Sequence, residues 1–359
     1  MIDSYPSSRV VNSQPEGIGR VVALDGMCAW NNLGRNVVFA DLELRPGAVF
    51  DETVFPDDDE PSQFDLDVHA IVGLGGTDLV AVLNHLGSLR LFRVPEVGGA
   101  GPARRVPLER HLDFVADVER VVALADRIVT SRPRGRRSGG LLVSEPVPGA
   151  RGHLDARVEL EEFGPVTALA AESTARGDSW LAFGGEGRVR LHSVVGGRLE
   201  SARWDVAVDL LPAVLVRDGR LLWAAGSALG GTGLDDYDWE KLRGGGLAAL
   251  DLATGEVVVS ARFGDDLAWG SGGVAFVVVG GEPCGIGRRG ELHLLDGGVT
   301  VAATKPVAAD PLGIAHAAVV RDQLVVGFNR GGHRLHTWPA SAITRQAVSP
   351  FDSRGRVHE

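Results

Sequence analysis

What most constrains this chain is a rhythm. Short apolar runs of about four to eight residues, filled by Val, Leu, Ala and Phe, are cut again and again by Gly, Asp, Asn and Pro. Runs of this length are too short for buried helices, and the breakers between them are turn formers. Amphipathic helical periodicity is nearly missing. The stretch DDYDWEKL, residues 235–242, reads as a helical turn inside a loop. The expected class is all-β.

The runs recur in a fixed order: an apolar run and a polar turn, a second run ending in small residues, a Gly-containing loop, an alternating run, a tight turn, and a weaker fourth strand. Residues 166–205 show it as VTALAA, SWLAFGG, EGRVRLHSV and RLESARWDV. Residues 68–108 repeat it as VHAIVGL, DLVAVLN, SLRLFRV and ARRVPL, and residues 213–263 as AVLVRD, RLLWAAG, GLAALDL and EVVVSARF. Further copies begin near Arg20, Arg120, Asp266 and His316. Seven units at a spacing of roughly 45 to 55 residues point to a propeller or array. Four-stranded antiparallel sheets packed around an axis bury faces that none can bury alone, and leave only short edges. The expectation is one domain over 1–359, a single seven-bladed β-propeller with blades near 19–55, 67–108, 117–160, 165–206, 212–263, 266–307 and 314–350. The last unit is weak after Trp338, so residues 8–12 are expected to supply its outer strand.

The stretches GEGRVRLHSV and LGSLRLFRV resemble the end of a WD-type repeat, and GGLAALDLATGEVVVSARF resembles a quinoprotein-type repeat. The Trp-Asp dipeptide itself occurs once, as Trp204-Asp205, and in the fourth strand of its unit. The resemblance implies a scaffold with a central channel, used for binding far more widely than for any one chemistry.

Composition narrows the partners. A net charge of -11 repels polyanions, so no nucleic acid and no anionic membrane surface is expected. Lys241 and Lys305 are the only lysines, so arginine carries nearly all the positive charge. Cys28 and Cys284 sit in or beside apolar stretches and do not form a disulfide framework. No signal-peptide pattern and no membrane-length apolar run is present, which leaves a cytoplasmic protein as the expectation.

The residue just before each first run is Arg20, His69, Arg120, Val166, Pro212, Asp266 or His316. Arg20, His69, Arg120 and His316 fall on neighbouring units of a closed ring. Such convergence near a channel mouth suits an anion, each Arg offering a fork of donors. The same positions suit a metal held by His69 and His316, or plain solvated strand starts. Loops on the same face carry more arginine: RPRGRRSGG over 132–140, and Arg243, Arg288, Arg289, Arg330 and Arg334. Trp30, Trp239 and Trp269 are expected in or beside those loops, where they can stack a planar ligand. The candidate ligand-binding set is Arg20, His69, Arg120, Asp266, His316, Arg288 and Arg330. The expected function is binding of a protein partner or a small anionic molecule, with no cofactor. The alternative is a lyase, hydrolase or isomerase drawing acid–base groups from the same residues.

Other patterns carry less. Gly285 to Gly290, GIGRRG, matches a dinucleotide fingerprint literally, but a strand follows where that mechanism needs a helix, so it reads as a hairpin. Asp236, Asp238 and Glu240 have calcium-loop spacing, but Lys241 stands where the loop needs glycine.

Overall fold

The computed structural model describes residues 5–7, 17–24, 26–32, 36–50, 68, 70–75, 78–83, 88–93, 104–105, 108–113, 120–124, 127–131, 140–144, 152–153, 156–159, 163–173, 179–196, 198–228, 245–263, 275–287, 289–296, 299–303, 307–310, 312–313, 315–330 and 335–343. The strands are β1 (Tyr5–Ser7), β2 (Ile18–Leu24), β3 (Met27–Asn32), β4 (Asn36–Ala40), β5 (Pro46–Phe50), β6 (Ala70–Gly73), β7 (Leu79–Leu83), β8 (Ser88–Arg93), β9 (Arg104–Arg105) and β10 (Leu108–Asp113). They continue with β11 (Val121–Leu124), β12 (Arg127–Ser131), β13 (Leu141–Ser144), β14 (Gly152–His153), β15 (Ala156–Glu159), β16 (Ala168–Glu172), β17 (Ser179–Gly185), β18 (Arg188–Val195), β19 (Arg198–Ala207) and β20 (Leu210–Asp218). The rest are β21 (Leu221–Ala228), β22 (Gly245–Asp251), β23 (Val257–Phe263), β24 (Ala275–Val279), β25 (Glu282–Ile286), β26 (Leu292–Asp296), β27 (Val299–Ala303), β28 (Ala315–Val320), β29 (Gln323–Phe328) and β30 (Leu335–Pro339).

These strands form seven sheets. Their orders are β2-β3-β4-β5-β9, β6-β7-β8-β10-β14, β11-β12-β13-β15, β16-β17-β18-β19, β20-β21-β22-β23, β24-β25-β26-β27 and β28-β29-β30-β1. Consecutive strands pair antiparallel, as short runs joined by tight turns must. Two sheets depart from the four-strand expectation, because β9 and β14 each add a short parallel strand at an outer edge. An N-terminal segment lies on the outer edge of the last sheet. β1 pairs antiparallel with β30, Pro6 opposite His336, while residues 8–12 lie outside the described residues. The only requirement is an extended segment that covers the free edge of β30, and β1 meets it.

Second strands are buried along nearly their whole length, as in β17, β25 and β29. Both of their faces are covered, one by each neighbouring sheet, which is why they read as continuous apolar runs. Outer strands show the opposite: β19 is mostly exposed. Alternation sends neighbouring residues of one strand to different sheets. Val325 of β29 packs on Val21 and Trp30 of the first sheet, whereas Leu324 and Val326 pack with Ile286 and Leu294 of the sixth. Each of the seven apolar clusters joins one pair of consecutive sheets, and the last pair is the seventh sheet with the first. The innermost strands β2, β6, β11, β16, β20, β24 and β28 likewise touch in sequence, and β28 touches β2. Gly327 is needed where these ends meet, because a Cβ there would lie 2.6 Å from Cγ2 of Ile18. Among the described residues no helix is long and apolar enough to cross a membrane.

Candidate functional site

Antiparallel order places three features at one end of the molecule: the start of each innermost strand, the end of the second strand and the end of the outer strand. This is the leading end, where the sequence reading put the ligand. The structure brings two of the expected residues together there. Arg20 of β2 and His316 of β28 meet across the junction of the first and seventh sheets, with Nη1 3.0 Å from Nδ1. Arginine has only donors, so the ring nitrogen facing it is bare. Nε2 of the same ring lies 3.4 Å from that Nη1. Burial holds the His316 imidazole well below its usual pKa, and the Arg20 guanidinium pushes the same way. The ring is therefore neutral at pH 7, and its accepting nitrogen is taken by Arg20.

A bulge aims Arg20. Ile18 lies opposite Asn32 and Arg20 opposite Asn31, so Gly19 is the extra residue. Bulges of this kind re-aim a side chain beside a site. The pairing sets Arg20 and Asn31 side by side on one face of the sheet. Asn31 is fully buried, and neither its Oδ1 nor its Nδ2 has a hydrogen-bond partner among the described residues. A buried amide left this way costs about 1–3 kcal/mol per unsatisfied group, which makes Asn31 the most telling polar residue of this end. Sequence reading missed it because its significance depends on facing Arg20, a matter of register.

Arg120 reaches its own neighbour. Its Nε donates to the Thr167 carbonyl at 2.7 Å, from the third sheet to the fourth, and its backbone N–H donates to Ser131 Oγ at 2.9 Å. Thr167 Oγ1 in turn donates to the Pro212 carbonyl of the fifth sheet at 2.5 Å. Polar side chains at strand starts thus tie sheet to sheet around the leading end. Arg330 is exposed just after β29, and its backbone N–H donates to the Leu312 carbonyl.

The remaining candidates fare differently. His69, Asp266 and Arg288 lie outside the described residues. The innermost strand described for the sixth sheet is β24, Ala275–Val279. Trp30 corrects another expectation. It lies within β3 and packs into the apolar cluster between the first and seventh sheets, with 6% of its surface exposed. The glycine-rich GIGRRG stretch begins with the last two residues of β25, Gly285 and Ile286, and runs on toward β26, with which β25 pairs antiparallel as a hairpin. His336 lies on β30 between Phe328 and Trp338, in ring contact with both.

A second charged group at the leading end was not foreseen. Arg188 and Arg190 of β18 both bind Asp205 of β19, with Arg190 Nη2 2.6 Å from Oδ2, and both guanidinium groups lie over the Phe163 ring at 5.7 and 5.1 Å. Beside them Arg262 pairs with Asp209. The RVR alternation of β18 was the signal, but only the β18–β19 register shows that Asp205 stands opposite. Among the described residues no group of three His, Cys, Asp or Glu is placed to hold a metal.

No protein-family description matches this chain, and no curated protein does. Solved structures match it well. The β-propeller domain of Cps50 (Swd1) from Myceliophteria thermophila is similar at a TM-score of 0.60 and 15% identity, over 94% of this chain and 99% of that one. BamB from Moraxella catarrhalis is similar at a TM-score of 0.53 and 11% identity, over 94% of this chain and 96% of that one. At such identities the likeness shows the fold alone: this is an all-β chain with the β-propeller fold.

Proposed function

We propose that the chain is a seven-bladed β-propeller acting as a binding scaffold, and that its leading end takes an anionic group carried by a small molecule or a protein partner. The observation that carries this reading is Asn31. Its buried amide needs a partner, and Arg20 stands opposite it in the β2–β3 register, so an acceptor-rich, negatively charged partner fits this end best. The closed cycle of seven apolar clusters supports the blade count. An acid–base role for His316 is less well supported, because Arg20 holds the nitrogen that would have to take the proton.

The test uses Asn31→Leu, an apolar replacement of similar volume. Thermal denaturation is followed with phosphate, acetate and citrate at constant ionic strength. The free variant is expected to equal or exceed the parent in stability, because the unsatisfied amide is gone. The parent is expected to gain stability with at least one of the anions, and the variant to lose that gain. If no anion stabilises the parent, or if Asn31→Leu responds as the parent does, the reading is wrong.

A further inference from the structure

A cavity of about 370 Å³ opens toward the other, trailing end of the innermost strands. Its walls include Val22 and Leu24 of β2, Ile71 and Val72 of β6, Val122 of β11 and Ala171 of β16. The volume falls within the range of small-molecule sites, roughly 300–1,000 Å³. The site is separate from the leading end. Leu24 lies four residues beyond Arg20 on β2, about 13 Å along an extended strand.

The chemistry of the lining is one-sided. Asp78, in the turn between β6 and β7, is the single ionisable side chain among the described lining residues. Arg93 of β8 binds its Oδ1 at 2.5 Å, and its Oδ2 has no partner among the described residues. Both members of that pair are about half exposed, so water screens their attraction and the carboxylate still presents an accepting oxygen at the rim. Apolar walls gain by exchanging water for an apolar body. A rim carboxylate on a chain of net charge -11 favours a cationic head and repels an anionic one. Met27, also in the lining, is flexible enough to adapt to the shape of such a guest.

We propose that this cavity binds a small organic cation with an apolar body, the body among the innermost strands of the first four sheets and its ammonium group on Asp78 Oδ2. The ligand class is set by charge complementarity at the rim and by the apolar walls behind it. It is opposite in sign to the group proposed for the leading end, so the two proposals stand or fall separately.

Isothermal titration with hexylammonium, hexanol and hexanoate at one ionic strength tests it. The expected order is hexylammonium, then hexanol weaker by about threefold, the scale of a screened ion pair, then hexanoate. Asp78→Asn, a surface substitution, is expected to bring hexylammonium down to hexanol while leaving hexanol unchanged. Ala123→Phe, which fills the cavity, is expected to remove binding of both in a protein shown by circular dichroism to be folded. No binding of hexylammonium overturns the proposal. So does an undiminished preference for it in Asp78→Asn, or unchanged binding in folded Ala123→Phe.

Discussion

Gly255→Ala is the substitution whose cost the structure defines most fully. Gly255 lies in the turn between β22 and β23 with φ at +76°, the left-handed region that L side chains avoid. A Cβ there would stand 2.7 Å from Cγ and 2.9 Å from Cδ2 of Trp204, which belongs to the preceding sheet. Trp204 has little room to yield. It is 8% exposed, and its Nε1 donates to the Leu252 carbonyl of the same turn at 3.0 Å. Two penalties therefore add: roughly 1–2 kcal/mol for the left-handed backbone and about 1–3 kcal/mol for overlap with the ring. Gly219→Ala isolates the first, since φ there is +55° and a Cβ would meet nothing within 4 Å. Urea denaturation followed by tryptophan fluorescence measures both variants. The expected loss is about 2–5 kcal/mol for Gly255→Ala and roughly 1–2 for Gly219→Ala, with unchanged denaturant slope. In a Trp204→Ala background most of the extra cost of Gly255→Ala should vanish. Equal losses for the two glycine variants, or an extra cost that persists without the indole, would refute the packing argument.

Three further outcomes follow from the same geometry. His316 is held below its usual pKa, so in the window below about pH 6.5 the unfolded chain binds a proton that the folded chain does not. Stability should then fall as pH drops through that window, by at most about 1.4 kcal/mol per pH unit, and His316→Gln should flatten the slope in urea titrations at pH 7 and pH 5.5. Burial pushes the Cys28 and Cys284 thiols up to about 12, so iodoacetamide should leave both unmodified in the native protein and modify both in urea, as read by mass spectrometry. Deleting residues 1–7 removes the strand that covers the edge of β30 and should lower the urea midpoint; an unchanged midpoint would mean that β30 does not depend on it.

The β class of this chain was determined by sequence alone, because short apolar runs separated by Gly, Asp, Asn and Pro leave few other ways to bury side chains. The recurrence of those runs also led to the propeller expectation. What only the tertiary structure decided is how residues far apart in the chain face one another. Arg20 and His316 are 296 positions apart and meet because the seventh sheet returns to the first. Asn31 matters because the bulge at Gly19 sets it beside Arg20, and one residue of slip would turn either side chain to the other face. Asp205 serves two arginines only in the register β18 adopts with β19. Periodicity is a local property, fixed by where the backbone points each side chain. Register and ring closure are set by the packing of whole sheets, and the polar contacts of the leading end depend on both.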